Sequence, residues 1–181
     1  ERSLGELAIS PPMSRAALTT VLSETVRSNH IVNGTVYLQI TRGAAPRDHA
    51  FPSPAPRPTV VITARKTDMS AADARAAAGV KVITLPDIRW GRCDIKTISL
   101  LPNVLARQTA KEQGAYEAFL VDQEGLVTEG AASNAWIVDA DGVLRTRDLG
   151  ANILRGVTRR SLADLAREAG LTVEERAFTV A

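Results

Sequence analysis

The spacing of apolar side chains predicts several helices. Over 14–29, apolar positions recur every three or four residues, and Ser14 stands where an N-cap is expected. The inward face of that helix is predicted to carry Ala17, Leu18, Val21 and Leu22. Further helices are predicted over 70–79, 100–114 and 156–170. In the last of these, the predicted inward residues are Leu162, Leu165, Ala166 and Ala169.

Alternation of apolar and polar side chains predicts strands between these helices. In 34–43, Val36, Leu38 and Ile40 alternate with polar neighbours, which is typical of a half-buried strand. Further strands are predicted over 59–64, 80–85, 116–122, 134–139, 143–148 and 171–178, the first of them buried. The segments QEG (123–125) and ADG (140–142) are typical of hairpin turns. Helices mixed with hairpin-joined strands predict an α+β fold with antiparallel or mixed sheets.

Composition excludes some classes of protein without selecting one. The chain is 45% hydrophobic and 23% charged with a formal charge of +2, which fits a folded domain rather than a nucleic-acid-binding or membrane-binding surface. The single cysteine, Cys93, excludes a disulfide within the chain and fits a reducing compartment, so we expect a cytoplasmic protein. The chain begins within a helical pattern and ends on an apolar strand, and we therefore expect a fragment of a longer protein.

A lysine interrupts the mostly apolar segment CDIKTISLLPN at 93–103. An ordinary lysine in this position would extend its ammonium to water. Alternatively Lys96 is buried, which lowers the pKa of a lysine and frees its amine to attack an aldehyde. The segment alone favours neither interpretation strongly.

Three other segments carry polar residues that suit ligand binding. Glu129, in a predicted turn, is either a solvated carboxylate or an acid that faces a cationic ring. Gly156, Val157 and Thr158 begin a helix, where free N–H groups favour an anion, although an ordinary helix start looks the same. Arg47 and His49 lie in a loop that is either a basic solvated loop or a carboxylate-binding one.

The order of these segments resembles a known enzyme family. The stretch DIRWGRCDIKTISLLPNVLARQTAKEQGAYEAFLVDQEGLVTEGAASNAWIV (87–138) is similar to the core of the D-amino-acid aminotransferases. These belong to the fold type IV pyridoxal-phosphate enzymes, together with the branched-chain aminotransferases and aminodeoxychorismate lyase. The resemblance continues upstream through YLQITRGAAPRDHAFPSP and downstream through NILRGVTRRSLADLAREAGLTVEERAF, so it covers nearly the whole chain.

The resemblance implies a cofactor, pyridoxal 5′-phosphate, and a role for each candidate residue. Lys96 would form the Schiff base with the cofactor and move protons, and Glu129 would pair with the pyridine nitrogen. Gly156, Val157 and Thr158 would contact the phosphate, and Ser133 and Asn134 would lie near the cofactor. Arg47 and His49 would bind the substrate carboxylate across a homodimer interface. No metal is expected.

The resemblance also implies a two-domain fold. Residues 1–66 would form part of a small N-terminal domain, 67–70 a linker, and 71–181 most of a large cofactor-binding domain. Two departures stand out: Ala131 and Ala132 occupy positions where relatives often have serine, and segments that relatives carry at both ends are missing. The expected reaction is transamination between a D-alanine-like amino acid and a 2-oxo acid.

Two alternatives to this reaction stay open at the level of sequence. The same fold serves branched-chain L-amino-acid and (R)-amine transaminases. A catalytically silent relative or fragment would keep the fold and Lys96 without turning over.

Overall fold

The computed structural model describes residues 1–180, which form two compact units. The first unit, Glu1–Ala78, contains two strands and three helices. Its elements in chain order are α1 (Arg2–Glu6), α2 (Arg15–Ser28), β1 (Gly34–Thr41), β2 (Thr59–Lys66) and α3 (Met69–Ala78). The second unit begins at Gly79, whose positive φ of 73° ends α3 in the way that a glycine C-cap does.

In the first unit, β1 and β2 form an antiparallel hairpin, and α2 packs against β2. Gly34 pairs with Lys66 at one end of the hairpin and Thr41 with Thr59 at the other. The Ala17 N–H donates to the hydroxyl of Ser14 over 3.2 Å, which confirms the predicted N-cap.

Two predicted burial patterns in this unit are wrong. Leu18 and Leu22 are half-buried in α2, whereas Ala17 and Val21 are exposed, so the inward stripe is narrower than predicted. Strand β2 alternates between exposed and half-buried residues and is not a buried strand. A two-stranded sheet covered by one helix buries one face only, which explains this alternation.

The second unit contains two three-stranded mixed sheets and two helices. Its elements are β3 (Val82–Pro86), α4 (Leu101–Glu112), β4 (Glu117–Val121), β5 (Val127–Gly130), β6 (Trp136–Val138), β7 (Leu144–Thr146), α5 (Val157–Glu168) and β8 (Val173–Glu175). One sheet has the order β3-β4-β5, with the first pair parallel and the second antiparallel. The other has the order β6-β7-β8, antiparallel and then parallel. The predicted α+β class with mixed sheets is therefore confirmed.

Small side chains build the core between α4 and the first sheet. Ala106 and Ala110 of α4 are buried against Ala118 and Leu120 of β4, and Ala110 and Ala118 are fully inaccessible. Because alanine carries one methyl group, the helix backbone approaches the sheet closely. This packing fixes the position of the segment that precedes α4, which contains Lys96.

Helix α5 buries a face that shares only Ala166 with the predicted one. Its buried residues are Arg159, Ala163 and Ala166, whereas Leu162 and Leu165 are 41% and 62% exposed. An arginine is normally assigned to the solvent face of a helix. Here the Arg159 Nη2 donates to Glu175 Oε2 and to the Arg147 carbonyl, each over 2.8 Å, and these bonds turn the Arg159 face toward the second sheet.

One strand of the second unit was not predicted from the sequence. Val127–Gly130 forms β5, and all of its residues are buried, although Glu129 was predicted to lie in a turn. The domain bounds predicted at 66 and 70 stay a prediction, and Ala181, at the end of the predicted large domain, lies outside the described residues. Within residues 1–180, each helix is too short or too polar to cross a membrane.

The Glu175 carboxylate generates a testable pH dependence of stability. Hydrogen bonds from Arg159 and then Arg167 lower the pKa of Glu175 below its usual value. A lowered pKa in the folded state stabilises the protein above the unfolded-state pKa, and this stabilisation is lost as the pH falls through the folded value. We expect Glu175→Gln to lower the free energy of unfolding by about 1 kcal/mol at neutral pH and by much less near pH 3.5.

Urea denaturation at the two pH values measures this difference. Glu168→Gln, at an exposed carboxylate on α5 itself, is the matched control and should change the unfolding free energy little at either pH. A Glu175→Gln deficit of equal size at both pH values would contradict the assignment.

Candidate active site

A cavity of about 1080 Å³ in the second unit brings together the residues predicted to bind the cofactor. They come from the segment before α4, from β5 and the turn after it, and from the start of α5. The predicted residues that line the cavity are Lys96, Glu129, Ser133, Asn134, Gly156, Val157 and Thr158. Their cofactor-binding roles stay predictions, but their assembly around one space is a property of the fold.

Lys96 is presented by a short anchored segment. Asp94 and Ile95 are buried, and the Asp94 N–H donates to the Ala151 carbonyl over 3.1 Å. Lys96 itself is exposed, as are Ile98 and Leu100. The interpretation that these apolar neighbours surround a dry amine is therefore wrong for the described chain, because Ile98 and Leu100 face solvent instead of covering Lys96.

Glu129 lies at the inner side of the cavity and is held by three donors. Its side chain is only 8% exposed. Arg89 Nη1 donates to Oε1, while the Asn134 amide and the Leu154 N–H each donate to Oε2 over 3.0 Å. Burial disfavours the carboxylate and raises the pKa of Glu129, although the Arg89 charge opposes this effect.

The hydrogen bonds of Glu129 leave room for another donor. A carboxylate offers about four acceptor positions, two on each oxygen. Oε2 receives two of the three bonds and Oε1 receives one. Oε1 therefore retains a position for a donor on a ligand.

Arg89 is the residue of this site that sequence reasoning missed. Its side chain is 4% exposed, and its Nε and Nη2 donate to the two oxygens of Asp87 over 2.9 and 2.7 Å. The same Nη2 lies 3.2 Å from Thr128 Oγ1 and 3.0 Å from the Asn152 carbonyl oxygen. The only sequence signal was an Asp-x-Arg pair directly after a predicted strand, and such a pair is usually solvated.

A tight turn after β5 shapes the cavity wall. The Gly130 N–H donates to the Ser133 carbonyl over 2.6 Å, and an added Cβ on Gly130 would overlap the Ser133 hydroxyl. Glu117 holds the turn, because its Oε2 accepts from Ser133 Oγ and from the Ala132 N–H. The Ser133 hydroxyl is therefore committed to Glu117, and the Asn134 amide is committed to Glu129.

The start of α5 forms the other end of the cavity. Gly156 is the N-cap, and Val157, Thr158 and Arg159 supply first-turn N–H groups that α-helical geometry leaves without helical partners. Gly156 packs so closely on Asn134 that an added Cβ would overlap its Oδ1. The helix dipole and these N–H groups favour an anion at this position.

The two predicted carboxylate-binding residues belong to the first unit. Arg47 and His49 are exposed in the connection between β1 and β2, and among residues 1–180 their side chains make no hydrogen bond or ion pair. Nearby Arg42 has a structural role instead. Its guanidinium donates to the carbonyls of Leu7 and Ala8 and stacks on Phe51, 3.8 Å from the ring centroid.

Comparison with known proteins identifies the family. The sequence profile of the family "Amino-transferase class IV" matches residues 1–181. The chain belongs to the class IV aminotransferases. The chain is 38% identical to the D-alanine aminotransferase of Staphylococcus epidermidis over 179 residues, which are 99% of this chain and 62% of that protein. It is 39% identical to the D-alanine aminotransferase of Bacillus licheniformis over 178 residues, or 98% and 61% of the two chains.

Solved structures give the same fold for this class IV chain. The branched-chain amino acid aminotransferase of Escherichia coli superposes with a TM-score of 0.83 at 24% identity, over 99% of this chain and 60% of that one. The T.th. branched-chain amino acid aminotransferase, complexed with N-(5′-phosphopyridoxyl)-L-glutamate, gives 0.81 at 26% identity, over 99% and 58%. The chain thus spans about three fifths of the length of these relatives. The predicted family and fold are confirmed.

The contact between Gly156 and Asn134 generates a second prediction. In Gly156→Ala the new methyl group displaces the Asn134 amide, which also bonds Glu129 and the Leu154 carbonyl. The backbone angles of Gly156, φ −60° and ψ 135°, are open to alanine, so the effect is purely one of packing. We expect a loss of about 1–3 kcal/mol in the free energy of unfolding.

Urea denaturation of the purified variant measures this loss. Gly91→Ala is the control, because its Cβ would enter open space and should leave the unfolding free energy nearly unchanged. Equal stability of the two variants would show that the Gly156–Asn134 contact is not tight.

Proposed function

We propose that the protein to which this chain belongs is a pyridoxal-phosphate-dependent transaminase that moves an amino group between a D-alanine-like D-amino acid and a 2-oxo acid. The observation that carries the proposal is that one cavity gathers an amine, a buried carboxylate and a helix N-terminus. The D-alanine aminotransferases that share 38–39% identity with the chain support the substrate class.

The residues present fit pyridoxal phosphate. Lys96 supplies an amine that a ligand reaches from solvent, since the side chain is exposed. Glu129 Oε1 keeps an acceptor position for a protonated ring nitrogen. The N–H groups of Val157 and Thr158 suit a phosphate. An amine, an acid and an anion site are what the aldehyde, the ring nitrogen and the phosphate of this cofactor need.

The residues of the chain divide the catalytic work. Lys96 Nζ would hold the cofactor covalently and, once released, act as the base that removes the substrate α-proton. When bound, pyridoxal phosphate supplies an electron sink for the carbanion that this proton transfer creates. Glu129 Oε1 would hold the proton of the ring nitrogen, and Asn134 would keep the Glu129 carboxylate oriented.

Substrate selection would depend on the first unit. Arg47 and His49 would bind the α-carboxylate of the substrate, and in a homodimer they would do so in the site of the second copy. An arginine and a histidine whose side chains make no hydrogen bond or ion pair within residues 1–180 support this role. We place the enzyme in the cytoplasm, because its single cysteine suits a reducing compartment.

A second candidate function is transamination of branched-chain L-amino acids or (R)-amines. The observation that favours it is the likeness of the fold to two branched-chain aminotransferases. Assays of D-alanine, L-leucine and an (R)-amine in parallel separate these reactions. A catalytically silent member of the family would process none of them, and the protein would stay colourless once added pyridoxal phosphate that is not bound has been removed by gel filtration.

The Lys96 assignment predicts the site of covalent trapping. Borohydride reduction of the cofactor-loaded protein should label the peptide that contains Lys96, and Lys96→Ala should abolish both the label and transamination. Lys111 lines the same cavity and provides the control, because Lys111→Ala should retain both. Peptide mass mapping measures the label. Retention of full activity by Lys96→Ala would overturn the assignment.

The Arg47 assignment predicts a selective effect on KM. Loss of a charge-assisted bond of about 1.5–3 kcal/mol should raise the KM for D-alanine about 10-fold to 100-fold in Arg47→Ala. An (R)-amine without a carboxylate should keep its KM. Arg57→Ala, an exposed arginine in the same β1–β2 connection, is the control. An equal rise in KM for both substrates would exclude carboxylate binding by Arg47.

A further inference from the structure

The buried charges around Glu129 do not balance. Asp87, Arg89 and Glu129 have side chains that are 10%, 4% and 8% exposed. Among residues 1–180, Arg89 is the only cationic side chain in a salt bridge with either carboxylate. The cluster of these three residues, the Asp87–Arg89–Glu129 cluster, therefore carries one net negative charge whenever both carboxylates are ionised.

Arg89 forms more hydrogen bonds with Asp87 than with Glu129. Nε and Nη2 form a two-pronged bond with Asp87, whereas Nη1 alone reaches Glu129. Thr128 Oγ1 also lies 2.7 Å from Asp87 Oδ2 and so fixes the Asp87 carboxylate. Burial opposes the ionisation of Asp87, but the bonds from Arg89 and Thr128 together outweigh it and lower the pKa of the carboxyl, so Asp87 is ionised at neutral pH.

We propose that Asp87 is a positioning residue that occupies Arg89 and thereby keeps the negative charge of Glu129 available to the cofactor's ring nitrogen. This inference rests on the proposed function, in which that nitrogen binds Glu129 Oε1. If Asp87 were neutral, Arg89 would neutralise Glu129, and no net charge would remain to stabilise a protonated ring. With Asp87 ionised, the cluster lacks one positive charge, and the pyridinium supplies it.

The physical reason is the cost of an unbalanced charge away from water. A buried charge without a partner is strongly destabilising, and interactions between charges strengthen as solvent is excluded. A cationic ligand group beside Oε1 therefore completes the cluster. Arg89 orients the Glu129 carboxylate. Because Asp87 offsets the positive charge of Arg89, the negative charge of Glu129 still acts on the ring nitrogen.

The test is the protonation of the ring nitrogen in the cofactor-loaded, full-length protein. Pyridoxal phosphate labelled with ¹⁵N in the ring reports protonation through its chemical shift. Glu129→Gln supplies the reference chemical shift for a ring nitrogen that has no carboxylate beside it. We expect Asp87→Asn to reduce the ratio of protonated to unprotonated ring about tenfold or more, which moves its ¹⁵N shift toward the Glu129→Gln position. Asp139→Asn, which removes a carboxylate that pairs with Arg145 outside the cluster, is the control and should stay near the wild-type shift.

The double variant Asp87→Asn/Arg89→Gln separates charge balance from structural damage. It removes one charge of each sign, so Glu129 again carries one uncompensated negative charge, and we expect the ¹⁵N shift to return toward the wild-type position. A merely structural role for Asp87 predicts a further departure. If the single variant Asp87→Asn does not fold, the double variant provides the test. A wild-type ¹⁵N shift in the double variant would support the role of Asp87 in charge balance, and a shift like that of Glu129→Gln would contradict it.

A wild-type ¹⁵N shift in Asp87→Asn would overturn the inference about Asp87 and leave the proposed function intact. A wild-type shift in Glu129→Gln would instead overturn the pairing of Glu129 with the ring, on which the proposed function depends. The two failures are therefore distinguishable in one set of spectra.

Discussion

The bonds of the Arg89 guanidinium hold the site together. They join Asp87, which follows β3, to Thr128 and Glu129 of β5 and to the Asn152 carbonyl ahead of α5. Three separate stretches of chain thus meet at one planar, permanently charged group. Lysine could not replace it, because a single ammonium lacks the rigid fork of donors that serves two carboxylates at once.

The alanine packing of α4 acts together with this guanidinium. Ala106 and Ala110 bring α4 close to β4, and Asn103 in the first turn of that helix donates to the Ala131 carbonyl over 2.7 Å. The turn after β5 is therefore fixed from one side by α4 and from the other by Glu117. Because alanines and a tight turn form this wall, Glu129 is held in position and no large side chain from residues 1–180 fills the cavity.

Sequence patterns predicted the element order well because most elements are amphipathic or end at a glycine. They failed where a charged residue is buried by a partner distant in sequence. Arg159 was not predicted among the inward residues of α5, since nothing local reveals that Glu175 would meet it. Strand β5 was missed because VTEG is short, ends in glycine and contains a carboxylate whose burial depends on Arg89.

The candidate site shows the same limit. Lys96, Glu129 and the start of α5 were selected through a family resemblance, and the fold places them around one cavity. Asp87 and Arg89 were not selected, because an Asp-x-Arg pair indicates a site only when a third charged residue, distant in sequence, contacts it in the fold. Of the two interpretations of Lys96, the buried one is not observed in the described residues, since apolar neighbours in sequence do not determine which of them face solvent.

The position of Asn134 has a consequence for the size of ligand that the cavity accepts. Its single amide group donates both to Glu129 and to the Leu154 carbonyl, and its oxygen lies against Gly156. The acid at one end of the cavity and the helix start at the other are thus set apart by one rigid side chain. Asn134 therefore fixes the distance between these two polar groups, and a ligand that spans the cavity would have to match that distance.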